Sequence, residues 1–130
     1  MGSNKIPPDM VVIKHQIVEW ARKQFPNQTY LAKLNHLGDE VEELKIAIND
    51  CVHKNYLMDH DVQMELADCF ILLVDTASLL GFSEEDIRRA MWEKLQINKK
   101  RKWGEPKENG VVNHVEHHGP LSSFYGHNHL

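Results

Sequence analysis

Apolar side chains recur along most of this chain at steps of three and four residues, which is the period of an α-helix. Asp9 is a suitable N-cap for the first such segment, and Pro26 stops it. Gly81 is a suitable C-terminal stop for the third segment. The predicted helices cover residues 9–25, 29 to about 54, 61–80, and 83 until the pattern stops after 103. The pattern therefore predicts an all-α fold, with four helices in a bundle-like arrangement.

The apolar stripes also predict which helix faces are buried. The third segment is apolar on nearly every side from Leu66 to Leu80, so we expect it at the centre of the bundle. Ser83 opens the fourth helix, with Asp86 three residues later as its capping-box partner. The apolar stripes are Met10, Ile13, Ile17 and Trp20, with Ala21, in the first helix and Leu31, Leu34, Leu37, Val41, Leu44 and Ile48 in the second. In the fourth helix we expect Ile87, Ala90, Met91 and Leu95 to form the buried stripe.

The periodic part of the chain predicts one helical domain with irregular ends. Pro7 and Pro8 close an extended leader, residues 1–8, and the helical domain covers residues 9–108. Residues 109–130 are rich in Gly, His, Asn and Ser and lack periodicity, so we expect a largely irregular tail. The tail histidines have irregular spacing, which is not typical of a closed metal site.

Composition and charge argue against several classes of function. The net charge of −4 lacks the strongly basic field of a general nucleic-acid binder, so we expect no nucleic-acid partner. The longest apolar run, from Cys69 to Val74, is too short to cross a bilayer, so we expect no membrane association. Cys51 and Cys69 lie inside apolar helical patterns typical of reduced core thiols, which predicts a cytoplasmic protein.

Two pairs of carboxylates are the strongest chemical signal in the sequence. Glu40 and Glu43 are three residues apart on the second helix, and Glu65 and Asp68 are three apart on the third. Residues at this spacing share a helix face, so neighbouring helices would bring four carboxylates together. Such a group is costly without a cation, and oxygen ligands of this kind suit Mg²⁺. An isolated pair at this spacing is usually surface charge, and the second pair, at the start of an apolar helix, favours a metal site.

Asp75 and a polar stripe on the fourth helix are the predicted substrate contacts. Asp75 lies seven residues beyond Asp68 and interrupts an apolar stretch. Because an unpaired buried aspartate is costly, we expect it to meet the metal site, a substrate donor or a cation from the fourth helix. Lys94, Asn98 and Arg101 fall on one stripe and together suit the oxygens of a triphosphate.

A few further side chains are candidates for contacts with a base or a metal ligand. Trp20, Phe25 and Trp103 offer stacking surfaces, although each alone is more typical of a core or interface residue. His36 lies one helical turn before Glu40 and is a candidate supporting partner for that carboxylate. An ordinary helix histidine explains His36 equally well.

The residues above resemble a known family. Glu40-x-x-Glu43 followed by Glu65-x-x-Asp68 resembles the metal signature of the all-α NTP pyrophosphatases, the MazG-like superfamily. Neighbouring residues resemble its dATP/dGTP pyrophosphohydrolase branch over roughly residues 18–117. The segments that carry this resemblance are Glu19-Trp20, Phe25, His36-Leu37, Asp39-Glu40, Glu65 to Ala77, Lys94 to Trp103 and His114 to His117.

This resemblance implies a MazG-type fold, assembly into homodimers or homotetramers, and Mg²⁺ or Mn²⁺ held by the four acids. It also implies hydrolysis of a nucleoside triphosphate to a monophosphate and pyrophosphate. We expect two or three ions per site and a preference for purine deoxynucleotides, dGTP before dATP. Some members of this branch are viral, which makes a phage protein one expectation.

The sequence suggests a mechanism for such a reaction. The four acids would form the catalytic centre, where Glu40 or Glu43 helps to take the proton of the attacking water. Lys94 and Arg101 would stabilise charge on the leaving pyrophosphate.

Two alternatives use the same pattern differently. A non-catalytic helical module that binds a partner helix explains the periodicity but not the acids on the third helix. A di-iron carboxylate bundle usually needs Glu-x-x-His pairs, and the nearest match here is Asp50-x-x-His53, at the far end of the second helix.

Overall fold

The computed structural model describes residues 6–53 and 59–116. These residues form four helices: α1 (Met10–Gln24), α2 (Tyr30–His53), α3 (His60–Leu79) and α4 (Glu84–Lys100). Among them, β-type pairing is limited to an isolated bridge between Trp103 and His114. The predicted all-α class is confirmed.

Polar side chains cap the helices where the sequence indicates. Asp9 is the N-cap of α1, and its carboxylate accepts a hydrogen bond from the backbone N–H of Val12 at 3.1 Å. Ser83 and Asp86 form the predicted capping box, in which each side chain accepts from the other's backbone N–H. Gly81 has a φ of +86° after α3, a conformation that glycine adopts without strain.

The chain divides into two compact units, Met1–Arg88 and Arg89–Leu130. In the first unit, α3 contacts both α1 and α2 and is therefore its central helix, as the apolar pattern predicts. Helices α2 and α3 run antiparallel, because Lys33 near the start of α2 pairs with Asp75 near the end of α3. At the other end of this interface, Glu43 lies close to Glu65.

The face that α2 presents to α3 differs from the predicted stripe. Half-buried or buried residues recur along α2 at alternating steps of four and three residues, which places them on one face. They are Lys33, Leu37, Glu40, Leu44, Ala47 and Cys51. Leu31, Leu34, Val41 and Ile48 of the apolar stripe are instead exposed. The predicted helical period is confirmed, but Lys33 and Glu40 take the place of apolar residues on the covered face.

Helix α3 has one covered face and one open face. Cys69, Leu72 and Thr76 are buried. Phe70 is 65% exposed and Leu73 is 49% exposed. The apolar character on nearly every side therefore exceeds what a single chain can bury.

The second unit contains the rest of α4 and a folded-back segment. Backbone hydrogen bonds join Gly104 to Asn113 at 2.9 Å and Val115 to Lys102 at 2.7 Å. Residues 109–116 are thus non-helical but paired with the preceding segment, whereas tail residues 117–130 lie outside the described range.

Within the described residues of the second unit, the apolar stripe of α4 is left uncovered. The structure describes every residue of α4, and none of them is buried. The prediction of a buried stripe is therefore wrong for the single chain, where Met91 and Leu95 are exposed and Ile87 is half-buried.

Among the residues that the structure describes, no single helix is long and apolar enough to cross a membrane, although α3 and α4 taken together reach that length and composition across a sharp bend.

Candidate metal centre

Three glutamates converge at the interface between α2 and α3. Glu40 and Glu43 lie on successive turns of α2, and Glu65 lies on α3. One carboxylate oxygen from each lies within 4.8 Å of one from each of the others, close enough to hold a single metal ion. The antiparallel packing of the two helices therefore brings together three of the four predicted metal ligands.

The pKa of Glu65 reflects this crowding. Burial raises the pKa of Glu65 above its ordinary value of 4.5, and the charge of Glu43 raises it further. A side-chain hydrogen bond with Glu40 and the charges of Glu40 and Asp68 also raise this pKa. The carboxylates thus compete for protons in the absence of a cation.

Two carboxylate oxygens in this group lack a hydrogen-bond donor. When both carboxylates are ionised, Glu40 Oε2 and Glu65 Oε2 are buried without a hydrogen-bond donor among the described residues. The other oxygen of Glu40 lies 3.0 Å from Nε2 of His36, one turn earlier on α2. The predicted proximity of His36 to Glu40 is therefore present, and it fixes one oxygen of the carboxylate.

Asp68 lies outside the group of three. It is exposed on α3, one turn beyond Glu65, and its charge contributes to the raised pKa of that residue. Its carboxylate is near enough to act electrostatically but is not among the mutually close ligand atoms. Its assignment as a fourth ligand stays a prediction.

A cavity of about 350 Å³ adjoins two of the three glutamates, Glu43 and Glu65. Glu43 and Glu65 form one side of it, and the side chains of Ile46, Ala47 and Met64 add an apolar wall. The group of carboxylates is therefore open to a small molecule from this side.

Asp75 has cationic partners that the sequence analysis did not identify. Its Oδ1 accepts from Nη2 of Arg22 on α1 at 2.6 Å, and its Oδ2 lies 2.8 Å from Nζ of Lys33 on α2. The expectation of a cation from the fourth helix was wrong. Asp75 is 2% exposed and both of its oxygens face cations, and its role as a substrate contact stays a prediction.

A signal for Lys33 was present in the sequence. Lys33 lies seven residues before Glu40, so it shares the face of α2 that meets α3. A lysine on such a face requires an acidic partner when it is buried, and Asp75 is the one acidic residue of α3 that follows Asp68.

The candidate aromatic residues of the first unit pack with each other. The rings of Trp20 and Phe25 meet edge to face at 5.6 Å, and the ammonium of Lys33 lies 4.1 Å from the centre of the Phe25 ring. Trp20 remains 54% exposed. Phe25 therefore serves the packing of α1 and α2, and Trp20 keeps a surface on which a base could stack.

The candidate phosphate contacts lie in the second unit. Arg101 donates to the side-chain oxygen of Asn98 at 3.1 Å, and the indole of Trp103 donates to the backbone oxygen of Asn98. The ring of Trp103 also meets that of His114 edge to face. Lys94 is exposed on the same helix. The structure thus joins Asn98 with Arg101, and the phosphate-binding roles stay predictions.

The donor set suits a hard divalent cation. Within the described ranges, the group able to hold a metal contains three glutamates and no histidine. Carboxylate oxygens favour Mg²⁺ or Mn²⁺, whereas the di-iron alternative needs histidines beside the glutamates. His53 of the Asp50-x-x-His53 match is exposed at the end of α2, outside this group.

Comparison with known proteins points in the same direction. A model of the dATP/dGTP pyrophosphohydrolase family matches residues 13–121. The dATP/dGTP diphosphohydrolase of cyanophage S-2L is 28% identical over 110 residues, which cover 85% of this chain and 91% of that protein. The Eaa protein of Salmonella phage P22 is 47% identical over 53 residues, which cover 41% of this chain but 17% of that protein.

A solved structure also resembles this chain. It is the cyanophage S-2L MazG-like pyrophosphohydrolase bound to dGDP and three catalytic Mn²⁺ ions per active site. The two structures align with a TM-score of 0.62 and 27% sequence identity, over 84% of this chain and the whole of that one.

Proposed function

Because the chain belongs to the dATP/dGTP pyrophosphohydrolase family, we propose that it hydrolyses a purine deoxynucleoside triphosphate between the α- and β-phosphates. The chain is a nucleotide pyrophosphohydrolase, and the proposed products are a deoxynucleoside monophosphate and pyrophosphate. We propose dGTP as the preferred substrate and dATP as the second. The name of the cyanophage relative and the dGDP bound to the similar structure support a purine deoxynucleotide.

The convergence of Glu40, Glu43 and Glu65 is the observation that carries this proposal. These three carboxylates, with Asp68 as a fourth ligand, would hold two or three Mg²⁺ or Mn²⁺ ions. The buried, unpartnered oxygens of Glu40 and Glu65 support this assignment, because a cation would satisfy both. Such ions supply charge that neutralises phosphate oxygens and lowers the pKa of bound water.

The chain's own side chains contribute the rest of the chemistry. Glu40 or Glu43 accepts the proton of the attacking water, and His36 orients Glu40 through the 3.0 Å contact. Lys94 and Arg101 bind the oxygens of the leaving pyrophosphate, with Asn98 holding the guanidinium of Arg101 in place. Trp20 offers its exposed ring to the base.

The proposed active form is a homodimer or homotetramer. Leu66, Phe70, Leu73 and Leu80 recur on α3 at the heptad spacing of helix pairs, and all four are exposed in the single chain. A stripe of this kind is covered most simply by a second copy of the chain. The burial of Cys51 and Cys69 agrees with the cytoplasmic location that we propose.

A panel of nucleoside triphosphates tests the reaction. Purified protein is incubated with each of the four deoxynucleotides and with ATP and GTP, in Mg²⁺ or Mn²⁺, and the products are separated by ion-exchange chromatography. We expect dGMP and pyrophosphate as the main products, with slower turnover of dATP. Release of a diphosphate and phosphate would overturn the cleavage site, and equal rates for all bases would overturn the purine preference.

A further inference from the structure

We propose that the Lys33–Asp75 ion pair sets the register of α2 against α3 and thereby positions the metal-binding carboxylates. In this role Lys33 and Asp75 are positioning residues that touch neither metal nor substrate. The proposal rests on the proposed function, because it explains how Glu40, Glu43 and Glu65, the proposed metal ligands, are held close together.

The ion pair and the carboxylates share one interface. Lys33 lies seven residues before Glu40 on α2, and Asp75 lies seven residues after Asp68 on α3. Seven residues are two helical turns, or about 10.5 Å along the axis. In the antiparallel packing, the contact between Lys33 and Asp75 therefore places Glu40 level with Asp68, and three residues further along α2 it places Glu43 level with Glu65.

The apolar pattern alone does not specify this register. On the covered face of α2, the apolar residues Leu37, Leu44, Ala47 and Cys51 recur at helical spacing. A slip of α2 by one turn would place Ala47 and Cys51 where Leu44 and Ala47 lie, so apolar packing at this end does not fix the register. The same slip would move Glu40 and Glu43 about 5.4 Å along the helix axis, away from Glu65.

The ion pair removes this ambiguity because both charges are buried. The side chains of Lys33 and Asp75 are 3% and 2% exposed, and their charged atoms lie 2.8 Å apart. A slip would separate two buried charges from each other, which costs far more than rearranging apolar contacts. A polar pair inside an apolar helix interface is a known means of selecting one register.

Arg22 provides a matched comparison within the same cluster. It also pairs with Asp75, but it lies on α1 and therefore ties α1 to α3 instead of α2 to α3. Replacing Arg22 or Lys33 by methionine removes one positive charge from the same carboxylate. Only the loss of Lys33 unlinks the two helices that carry the glutamates.

The test compares Lys33→Met with Arg22→Met by two measurements. The first is Mn²⁺ affinity without nucleotide, from the electron paramagnetic resonance signal of free Mn²⁺. We expect Lys33→Met to bind Mn²⁺ at least about tenfold more weakly than wild type. A loss of this size in metal affinity is typical when a residue that positions the metal ligands is removed. Arg22→Met should bind within about threefold of wild type, because it leaves the register unchanged.

The second measurement reads the register directly and needs no metal. Spin labels on cysteines introduced at Asn35 and Gln63, both exposed, report the distance along the α2–α3 interface. We expect a broadened or shifted distance distribution in Lys33→Met, by up to about 5.4 Å for a one-turn slip, and a wild-type distribution in Arg22→Met. A wild-type distribution in Lys33→Met would overturn the register role.

A double variant covers the case in which Lys33→Met does not fold. Lys33→Met with Asp75→Leu removes both buried charges and leaves the net charge unchanged, so weaker Mn²⁺ binding cannot come from altered charge. We expect it to fold and to show the same loss of Mn²⁺ affinity, and wild-type affinity in this variant would overturn the proposal. If wild-type protein binds no Mn²⁺, the proposed metal site fails, while the distance measurement still decides the register role.

Discussion

Glu65 illustrates how neighbouring residues determine the pKa and the hydrogen bonding of a single side chain in this protein. Burial and three other acidic side chains raise its pKa, and one of its oxygens is buried without a donor. Each of these features is unfavourable for an empty site and favourable for a site that takes up a cation. Two predictions at the residue scale follow from the group that it forms with Glu40 and Glu43.

Replacing Glu43 by alanine removes a proposed ligand and tests the assignment. We expect Glu43→Ala to lower metal-dependent turnover by more than about a hundredfold, beyond the loss typical of removing only a ligand's supporting partner. Glu42→Ala is the matched control, because Glu42 is exposed, pairs with Lys45 and lies outside the group. Steady-state rates with dGTP in Mg²⁺ measure both, and full activity of Glu43→Ala would refute the assignment.

The raised pKa of Glu65 predicts how the metal-free protein responds to pH. A raised pKa means that the folded protein holds this proton more tightly than the unfolded chain does. The stabilising contribution is therefore complete below the ordinary value of 4.5 and is lost as pH rises through the raised pKa. We expect urea denaturation in EDTA to give a free energy of unfolding that falls with pH over this window.

The matching variant identifies the source of that pH dependence. Glu65→Gln cannot ionise, so its metal-free free energy of unfolding should depend less steeply on pH than that of wild type. Parallel profiles for the two proteins would assign the dependence to other groups. Added Mn²⁺ should raise the stability of wild type at neutral pH and have little effect on Glu65→Gln.

At the scale of helices, local signals determine the ends and tertiary contacts determine the faces. Asp9, Gly81 and the Ser83–Asp86 box lie at helix ends as the sequence indicates, because capping depends on atoms a few residues apart. The covered face of α2 depends on which neighbour it meets. The apolar stripe through Leu34, Val41 and Ile48 is thus left exposed in the single chain.

The capping box at α4 gives a prediction at this scale. Ser83→Ala removes the hydroxyl that accepts from the backbone N–H of Asp86 at 3.1 Å. We expect a loss of about 1 kcal/mol in the free energy of unfolding, the usual cost of removing a serine N-cap. Chemical denaturation measures this loss, and Ser83→Asn, which retains a capping oxygen, should keep stability near that of wild type. A stability of Ser83→Ala equal to that of wild type would show that the cap contributes nothing.

At the scale of the whole molecule, many large apolar side chains are exposed among the residues that the structure describes. Its fully buried apolar residues are few, and α4 contributes none of them, while large apolar side chains remain open on all four helices. A chain of this length has a small hydrophobic core. A partner subunit that buried the exposed apolar surface would therefore supply stability that the isolated chain lacks. The proposed oligomer accounts for this surface.

Replacing Phe70 by glutamate tests the proposed oligomer. Phe70 is 65% exposed at the middle of the open face of α3, and a charge there would be buried without a partner in any assembly that uses this face. We expect Phe70→Glu to shift the mass from dimer or tetramer to monomer in light scattering after gel filtration. Ile6→Glu, in the leader, is the control and should keep the wild-type mass. An unchanged assembly in Phe70→Glu would exclude this face as the interface.

Periodicity, caps and the spacing of carboxylates were sufficient, from sequence alone, to predict four helices, the central position of α3 and the convergence of Glu40, Glu43 and Glu65. These features depend on residues within one or two turns of each other, and such distances follow from helix geometry. The resemblance of the local residues to a known family then supplied the reaction that this geometry serves.

Only the tertiary structure decided the partners of Asp75, the rotation of α2 about its axis and the exposure of four of the six residues in its apolar stripe. Each depends on which helices meet and in which register, and repeated apolar residues are compatible with several packing arrangements. The free energy that separates those arrangements comes from burying Lys33 beside Asp75, a contact between residues 42 positions apart in the chain. Such a contact exists only once α2 and α3 have packed.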